Sequence, residues 1–183
     1  MLHTFVVRVD NEPGVLNRVS SLFRRRAFNI ESLTVGHTEA PGVSRMTIVV
    51  ETDESGARRL EANLYKLVNV LTVTNVTATA LVCRDLAMIK VAADASLRSQ
   101  VMHLAEVFRA RVVDVTPSSL VIETTGTEDK IDGLLEVLRP YGVIEMVRTG
   151  RVAMERGTTA TGADVEEELV RAHRTGEGYA CAS

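Results

Sequence analysis

Aromatic residues are scarce in this chain: four Phe, three Tyr and no Trp among 183 residues. A module that stacks nucleobases on a sheet needs aromatics on its central strands, and the segments 45–50 and 88–92 contain none. Cysteines number two, Cys83 and Cys181, too few and too far apart for a disulfide framework or a zinc ribbon. No apolar run reaches the roughly 18 residues of a membrane-spanning helix. The N-terminal stretch 1–14 meets charged residues after a few apolar ones and has no small-residue cleavage site, so a cytoplasmic protein is expected. The net charge of −3 shows no excess of one sign that would mark a nucleic-acid binder. Its one basic run, Arg24-Arg25-Arg26, suits the end of a helix, where cations complement the dipole.

A recognisable catalytic set is missing as well. His3, His37, His103 and His173 lie on different segments, with no Cys, Asp or Glu at metal-ligand spacing. Neither a phosphate-binding G-x-x-x-x-G-K-[ST] loop nor a G-x-G-x-x-G turn occurs, and Ser20-Ser21 and Ser118-Ser119 have no paired base. No catalytic site and no metal are expected on this chain.

What is present is one pattern written twice. Residues 2–9 are β-rich, Asp10-Asn11-Glu12-Pro13-Gly14 breaks the run, and Val15, Leu16, Val19, Leu22 and Phe23 follow at helical spacing. Strands are expected over 29–35 and 44–51, then a helix carrying Leu60, Leu64, Leu67 and Val68, then a strand over 70–76. The second half repeats the order: strand 86–92, a helix from Leu97 to Phe108, a hairpin 112–124 around Pro117, a helix capped by Thr127, and strand 143–147. The fold class is therefore α+β, two ferredoxin-like βαββαβ domains over 1–80 and 81–157. The tail 158–183 is small and polar, with a short helix conceivable over 164–173, and its composition suits a disordered or partner-ordered end.

Each unit supplies helices for one face of its sheet only, yet a strand such as Phe5–Val9 is apolar on both sides. Such a face is expected to be covered by another chain or domain, which predicts oligomerisation. The turn at 10–16 adds a chemical feature. Pro13 and Gly14 read as a helix start, with Asn11 or Glu12 available to satisfy its free N–H groups. The same N–H groups and the positive end of the helix dipole suit an anion. Gly14 lets a ligand approach the backbone, and the Asn11 amide oxygen is available to an ammonium group. A free amino acid has both charges.

The run from Asp10 to Val35, D-N-E-P-G-V-L-N-R-V ending in N-I-E-S-L-T-V, resembles the ACT domain of the small, regulatory subunit of acetolactate synthase. Further blocks carry the resemblance through the second half: Arg84-Asp85-Leu86-Ala87-Met88, Val113-Asp114-Val115-Thr116-Pro117, Gly126-Thr127 and Arg148-Thr149-Gly150-Arg151. It covers about residues 1–157. In that family the small subunit performs no chemistry. The resemblance implies a homodimer through ACT domains, bound to a catalytic subunit that carries thiamine diphosphate, magnesium and FAD. It implies activation of that subunit in branched-chain amino-acid synthesis and feedback inhibition by valine. It further implies a valine site formed by Asn11, Gly14, Val15 and Leu16 of one chain with Asn29 and Ile30 of the other. Position 13, often Ser in relatives, is Pro13 here and is given no ligand contact. A carboxylate at a helix start contributes about 0.3–2 kcal/mol and a buried isopropyl group about 1.5–3 kcal/mol. Leucine and isoleucine differ from valine by one methylene, about 1–3 kcal/mol, so discrimination among them is expected to be partial. The alternative is a free-standing tandem sensor that regulates another enzyme or transcription.

Overall fold

A computed structural model of the chain describes residues 1–157; the expectations for 158–183, including the helix at 164–173, His173 and Cys181, lie outside the described residues. Valine-rich β1 (Leu2–Asp10) leads into α1 (Val15–Arg25), followed by β2 (Ile30–His37), β3 (Val43–Glu51), α2 (Glu54–Leu64) and β4 (Val70–Asn75). All pairings in this first sheet are antiparallel, in the order β2-β3-β1-β4, with Val7 opposite both Met46 and Val73. Alternation sends Phe5, Val7 and Val9 to one face, where they meet Val15, Val19, Leu22 and Phe23 of α1 and Leu60 and Leu64 of α2 in one buried cluster.

The second half follows the same course: β5 (Leu81–Ala92), α3 (Arg98–Val107), β6 (Arg111–Val115), β7 (Ser119–Gly126), α4 (Glu128–Leu138) and β8 (Val143–Arg148), with a short β9 (Val152–Glu155) added. Its sheet runs β6-β7-β5-β8, and β9 pairs with β5. Ile89, Val91, Leu120, Ile122, Leu134 and Leu138 form its core. The repeated βαββαβ order stands as the sequence predicts. The chain separates into Met1–Val82 together with the segment beginning at Ala153, and Cys83–Val152. The cut expected after residue 80 thus falls after Val82, and the last described strand returns to the first unit.

Several elements depart from expectation for local reasons. Helix α2 starts at Glu54, earlier than its apolar stripe, because Asp53 caps it by accepting from the Gly56 N–H at 2.6 Å. It ends at Leu64, so Leu67 and Val68 lie in the following turn, where Val68 is exposed. Strand β5 begins at Leu81, five residues before the expected 86. Thr127 holds the N-cap position of α4, but its side chain makes no capping hydrogen bond.

Two helices end alike without the glycine that usually takes the left-handed position. Ala27, at φ 56°, follows the end of α1, and the Phe28 N–H returns to the Phe23 carbonyl at 3.1 Å. Arg109, at φ 51°, follows α3, and the Ala110 N–H returns to the Ala105 carbonyl at 2.8 Å. Both are Schellman-type terminations whose left-handed position carries a side chain.

The sheet faces turned away from the helices differ between the units. In the first, Thr4, Val6, Thr47, Val49 and Thr72 are buried within the single chain. Arg45 on this face donates to the Ala153 carbonyl at 2.6 Å, which holds β9 against it. The sequence predicts cover by another chain or domain; for this face, residues of the same chain already supply burial. In the second sheet, Met88 is opposite Val147 and both are exposed, beside a Lys90–Glu145 ion pair at 3.6 Å.

Candidate functional site

The β1–α1 loop is tied down from three sides. The Asp10 N–H donates to the Asn69 carbonyl at 2.9 Å and the Asn11 N–H to the Gly42 carbonyl at 2.8 Å. Asn69, buried ahead of β4, uses its side chain as well: Nδ2 donates to Asp10 Oδ2 and Glu12 Oε2, each at 3.3 Å, and Oδ1 accepts from Arg18 of α1. One amide therefore fixes where the loop stands relative to the helix it opens.

Gly14 is the N-cap of α1, with φ 86° and no side-chain capping bond, and the first turn of the helix holds no acidic residue. Pro13 thus precedes the cap instead of occupying the first turn. Asn11 and Glu12, expected as capping groups, face elsewhere. Asn11 Oδ1 accepts from Ser44 Oγ at 3.1 Å, its Nδ2 lies 3.4 Å from His37 Nδ1, and the Glu12 carboxylate meets Asn69. The Val15 N–H reaches the Glu12 carbonyl at 3.4 Å, while the N–H groups of Leu16 and Asn17 have by position no intrahelical acceptor. A Cβ added at Gly14 would meet no atom within 4 Å, so the approach to these groups is open. The positive end of α1 is thus unneutralised by its own first turn and accessible.

Of the apolar residues there, Val15 is 3% exposed and belongs to the core, so it offers a ligand only backbone; Leu16 is 43% exposed and presents its side chain at the same helix end. Asn29 and Ile30 lie elsewhere. Asn29 Nδ2 donates to Glu31 Oε1, and Ile30 pairs with Val50 at the far end of β2 from His37, the residue beside Asn11. Seven residues of strand span about 23 Å, several times the length of a small amino acid. The structure therefore brings together Asn11, Gly14, Val15 and Leu16, and in one chain separates them from Asn29 and Ile30.

Sequence reasoning did not single out an ionic cluster in the second unit. Arg148 Nε and Nη2 donate to buried Asp85 Oδ2 at 3.1 and 2.7 Å, and Nη1 to Asp132 Oδ1 at 3.0 Å. Thr149 and Leu86 exchange backbone and side-chain bonds alongside, and Arg151 meets Glu128 at 2.7 Å. Burial works against the Arg148 charge, but Asp85, Asp132 and Glu128 outweigh it and raise its pKa. The signal was in the sequence: the Arg84-Asp85 and Arg148–Arg151 blocks meet across β5 and β8. Among the described residues, no group of three or more His, Cys, Asp or Glu is placed to hold a metal ion, and no helix is long and apolar enough to cross a membrane.

Two βαββαβ units, the first opening on an uncapped, glycine-started helix beside an apolar contact, define a tandem ferredoxin-like protein whose first unit is of the ACT type. Family models agree on both units: residues 5–72 match the AHAS small subunit-like ACT domain, and residues 84–157 match the small subunit of acetolactate synthase. The probable acetolactate synthase small subunit of Archaeoglobus fulgidus is 49% identical over 157 residues, covering 86% of this chain and 98% of that protein. The small subunit of Mycolicibacterium smegmatis is 49% identical over 161 residues, covering 88% and 95%. The crystal structure of the acetolactate synthase small subunit from Thermotoga maritima superposes with a TM-score of 0.81 at 38% identity, over 87% of this chain and 99% of that one. The chain belongs to the family of acetolactate synthase small subunits, the regulatory subunits of an enzyme of branched-chain amino-acid synthesis.

Proposed function

We propose that this chain activates the catalytic subunit of acetolactate synthase and makes it sensitive to feedback inhibition by valine, with no chemistry of its own. Thiamine diphosphate, magnesium and FAD belong to the catalytic subunit, and the working compartment is the cytoplasm. Residues 1–80 bind the effector and dimerise, and residues 81–157 contact the catalytic subunit. The observation that carries this reading is the open, uncapped start of α1 at Gly14, whose neighbour Asn11 lies beside His37, with Asn29 and Ile30 at the other end of β2, about 23 Å of strand from His37. A single valine touches both groups only if a second copy brings its Asn29 and Ile30 to the first copy's loop. The carboxylate sits on the α1 N–H groups, the ammonium is within reach of the free lone pair of Asn11 Oδ1, and the isopropyl group meets Leu16 and the second copy's Ile30.

A ligand bridging two chains shifts activity only by favouring one dimer arrangement over another. Coupling of about 1–3 kcal/mol, or 5- to 150-fold, suits graded inhibition. The test is to mix the chain with its catalytic subunit and follow acetolactate with and without valine. Activation that valine reverses is expected, and Gly14→Asp should retain activation while losing the valine response, because its carboxylate occupies open space at the effector's own carboxylate site. Unchanged valine binding to that variant by titration calorimetry would refute the site.

A further inference from the structure

The basic run 24–26, unused by the reading above, lines a groove. Two adjoining cavities of about 370 and 360 Å³ lie between the C-terminal part of α1 and α2, sharing Arg25, Arg26 and Asn63. Lys66 completes one lobe and Arg59 the other, so four cations and one amide face the space and no carboxylate does. This concentration runs against a chain of net charge −3. Among the described residues, Arg25, Arg59 and Lys66 have no ion pair.

Helix-end electrostatics explains part of the run, since Arg24 and Arg25 close the last turn of α1. It does not explain Arg59, which sits in the middle of α2. Arg26 is also positioned: its Nη2 donates to Asn63 Oδ1 at 3.1 Å, while Asn63 Nδ2 is anchored on the Arg59 carbonyl at 2.6 Å. One of the five guanidinium N–H groups is thereby used to fix the fork, and the others remain for a ligand. The left-handed turn at Ala27 sets Arg26 and half-buried Phe28 side by side, and Leu22 and Leu67 line the other lobe.

We propose that this groove binds a small soluble molecule carrying one or two phosphate groups on an apolar body. Paired guanidinium forks fit phosphate oxygens bidentately, which a lone surface lysine does not. The volume lies within the usual range of small-molecule sites, and the apolar lobe suits an organic body. The groove is separate from the β1–α1 loop, so occupancy here needs no valine.

Calorimetric titration of the full chain at constant ionic strength tests this with inorganic phosphate, pyrophosphate and 4-nitrophenyl phosphate as probes. One site per chain is expected, with pyrophosphate and the aryl ester each at least fivefold tighter than phosphate. Arg59→Gln and Arg25→Gln, both at exposed positions, should weaken pyrophosphate at least tenfold together; Arg59→Gln should leave the thermal midpoint of the free protein unchanged, and Arg25→Gln should lower it only slightly through the lost helix-end charge. Asn63→Ala should weaken it by a smaller factor through loss of the Arg26 fork. Equal binding by the double variant, or heat explained by ionic strength alone, would overturn the proposal. So would capture by phosphatidylglycerol vesicles or a glutamate decapeptide without pyrophosphate binding, since the occupant would then be a membrane or an acidic segment.

Discussion

Replacing Ala27 by Gly, and separately Arg109 by Gly, should stabilise the protein, although each removes atoms. Both residues occupy the left-handed position that ends a helix, at φ 56° and 51°, and both side chains are exposed, so no burial is lost. An L-residue there costs about 1–2 kcal/mol relative to glycine. Glycine returns about 0.4–1 kcal/mol of that through the greater freedom of the unfolded chain. The net gain is about 0.5–1 kcal/mol per site, which for units of this size raises the midpoint by roughly 3–6 °C. Gly14→Ala is the reverse experiment: φ is 86° and the added Cβ meets nothing, so strain acts alone and a loss of about 1 kcal/mol follows. Differential scanning calorimetry of the full chain reads all three. Should both glycine substitutions lower the midpoint, or Gly14→Ala leave it unmoved, the backbone argument fails.

Removing the Arg148 guanidinium as Arg148→Met leaves Asp85 buried without its cation, and urea unfolding should show a loss of about 3 kcal/mol, more than Arg151→Met at the more exposed Glu128 pair. Asp94 has its pKa lowered by hydrogen bonds from the Ser96 hydroxyl and the Leu97 and Ser96 N–H groups. A depressed carboxyl stabilises above its ordinary value of 3.8 and loses that contribution as pH falls through the folded value, so the stability gap between the parent and Asp94→Ala should narrow on acidification from pH 6 to below 3. Asn69→Ala removes the amide that holds Asp10, Glu12 and Arg18, and should cost about 1–3 kcal/mol in unfolding while raising the valine concentration needed for half inhibition.

Periodicity made the framework legible. Val15, Val19, Leu22 and Phe23 were spaced for one helix face, and all four are buried; the repeat order held through both halves although the two share almost no residues. Boundaries failed where a polar residue decided them. Asp53 starts α2 about two turns before its first leucine, Leu60, and it was readable as a cap three residues ahead of Gly56. The terminations at Ala27 and Arg109 gave no glycine signal to read. Strand β9 has only four residues, too few for alternation to register, so its bond to Arg45 on the outer face of the first sheet left no signal in the sequence. At the candidate site, Asp10–Leu16 announced itself by turn and cap chemistry. The partnership of Asn11 with Ser44 depends on β3 arriving from 33 residues away, which no local pattern encodes. The pairing of that loop with Asn29 and Ile30 rested on family resemblance, because in one chain β2 holds them apart.

The bond from Arg45 to Ala153 also sets a timetable for synthesis. A growing chain can pair β1 to β4 soon after residue 75, yet the strand that lies against Arg45 on the outer face is not made until more than 70 further residues have been joined. Until then the nascent first unit lacks that cover, beside Val6 and Val49. A fragment cut at the domain boundary would remain in that state permanently, prone to stick to its own kind. The last piece of the first domain is therefore a late event in translation, and a chain carried through β9 is the smallest unit that keeps the bond to Arg45.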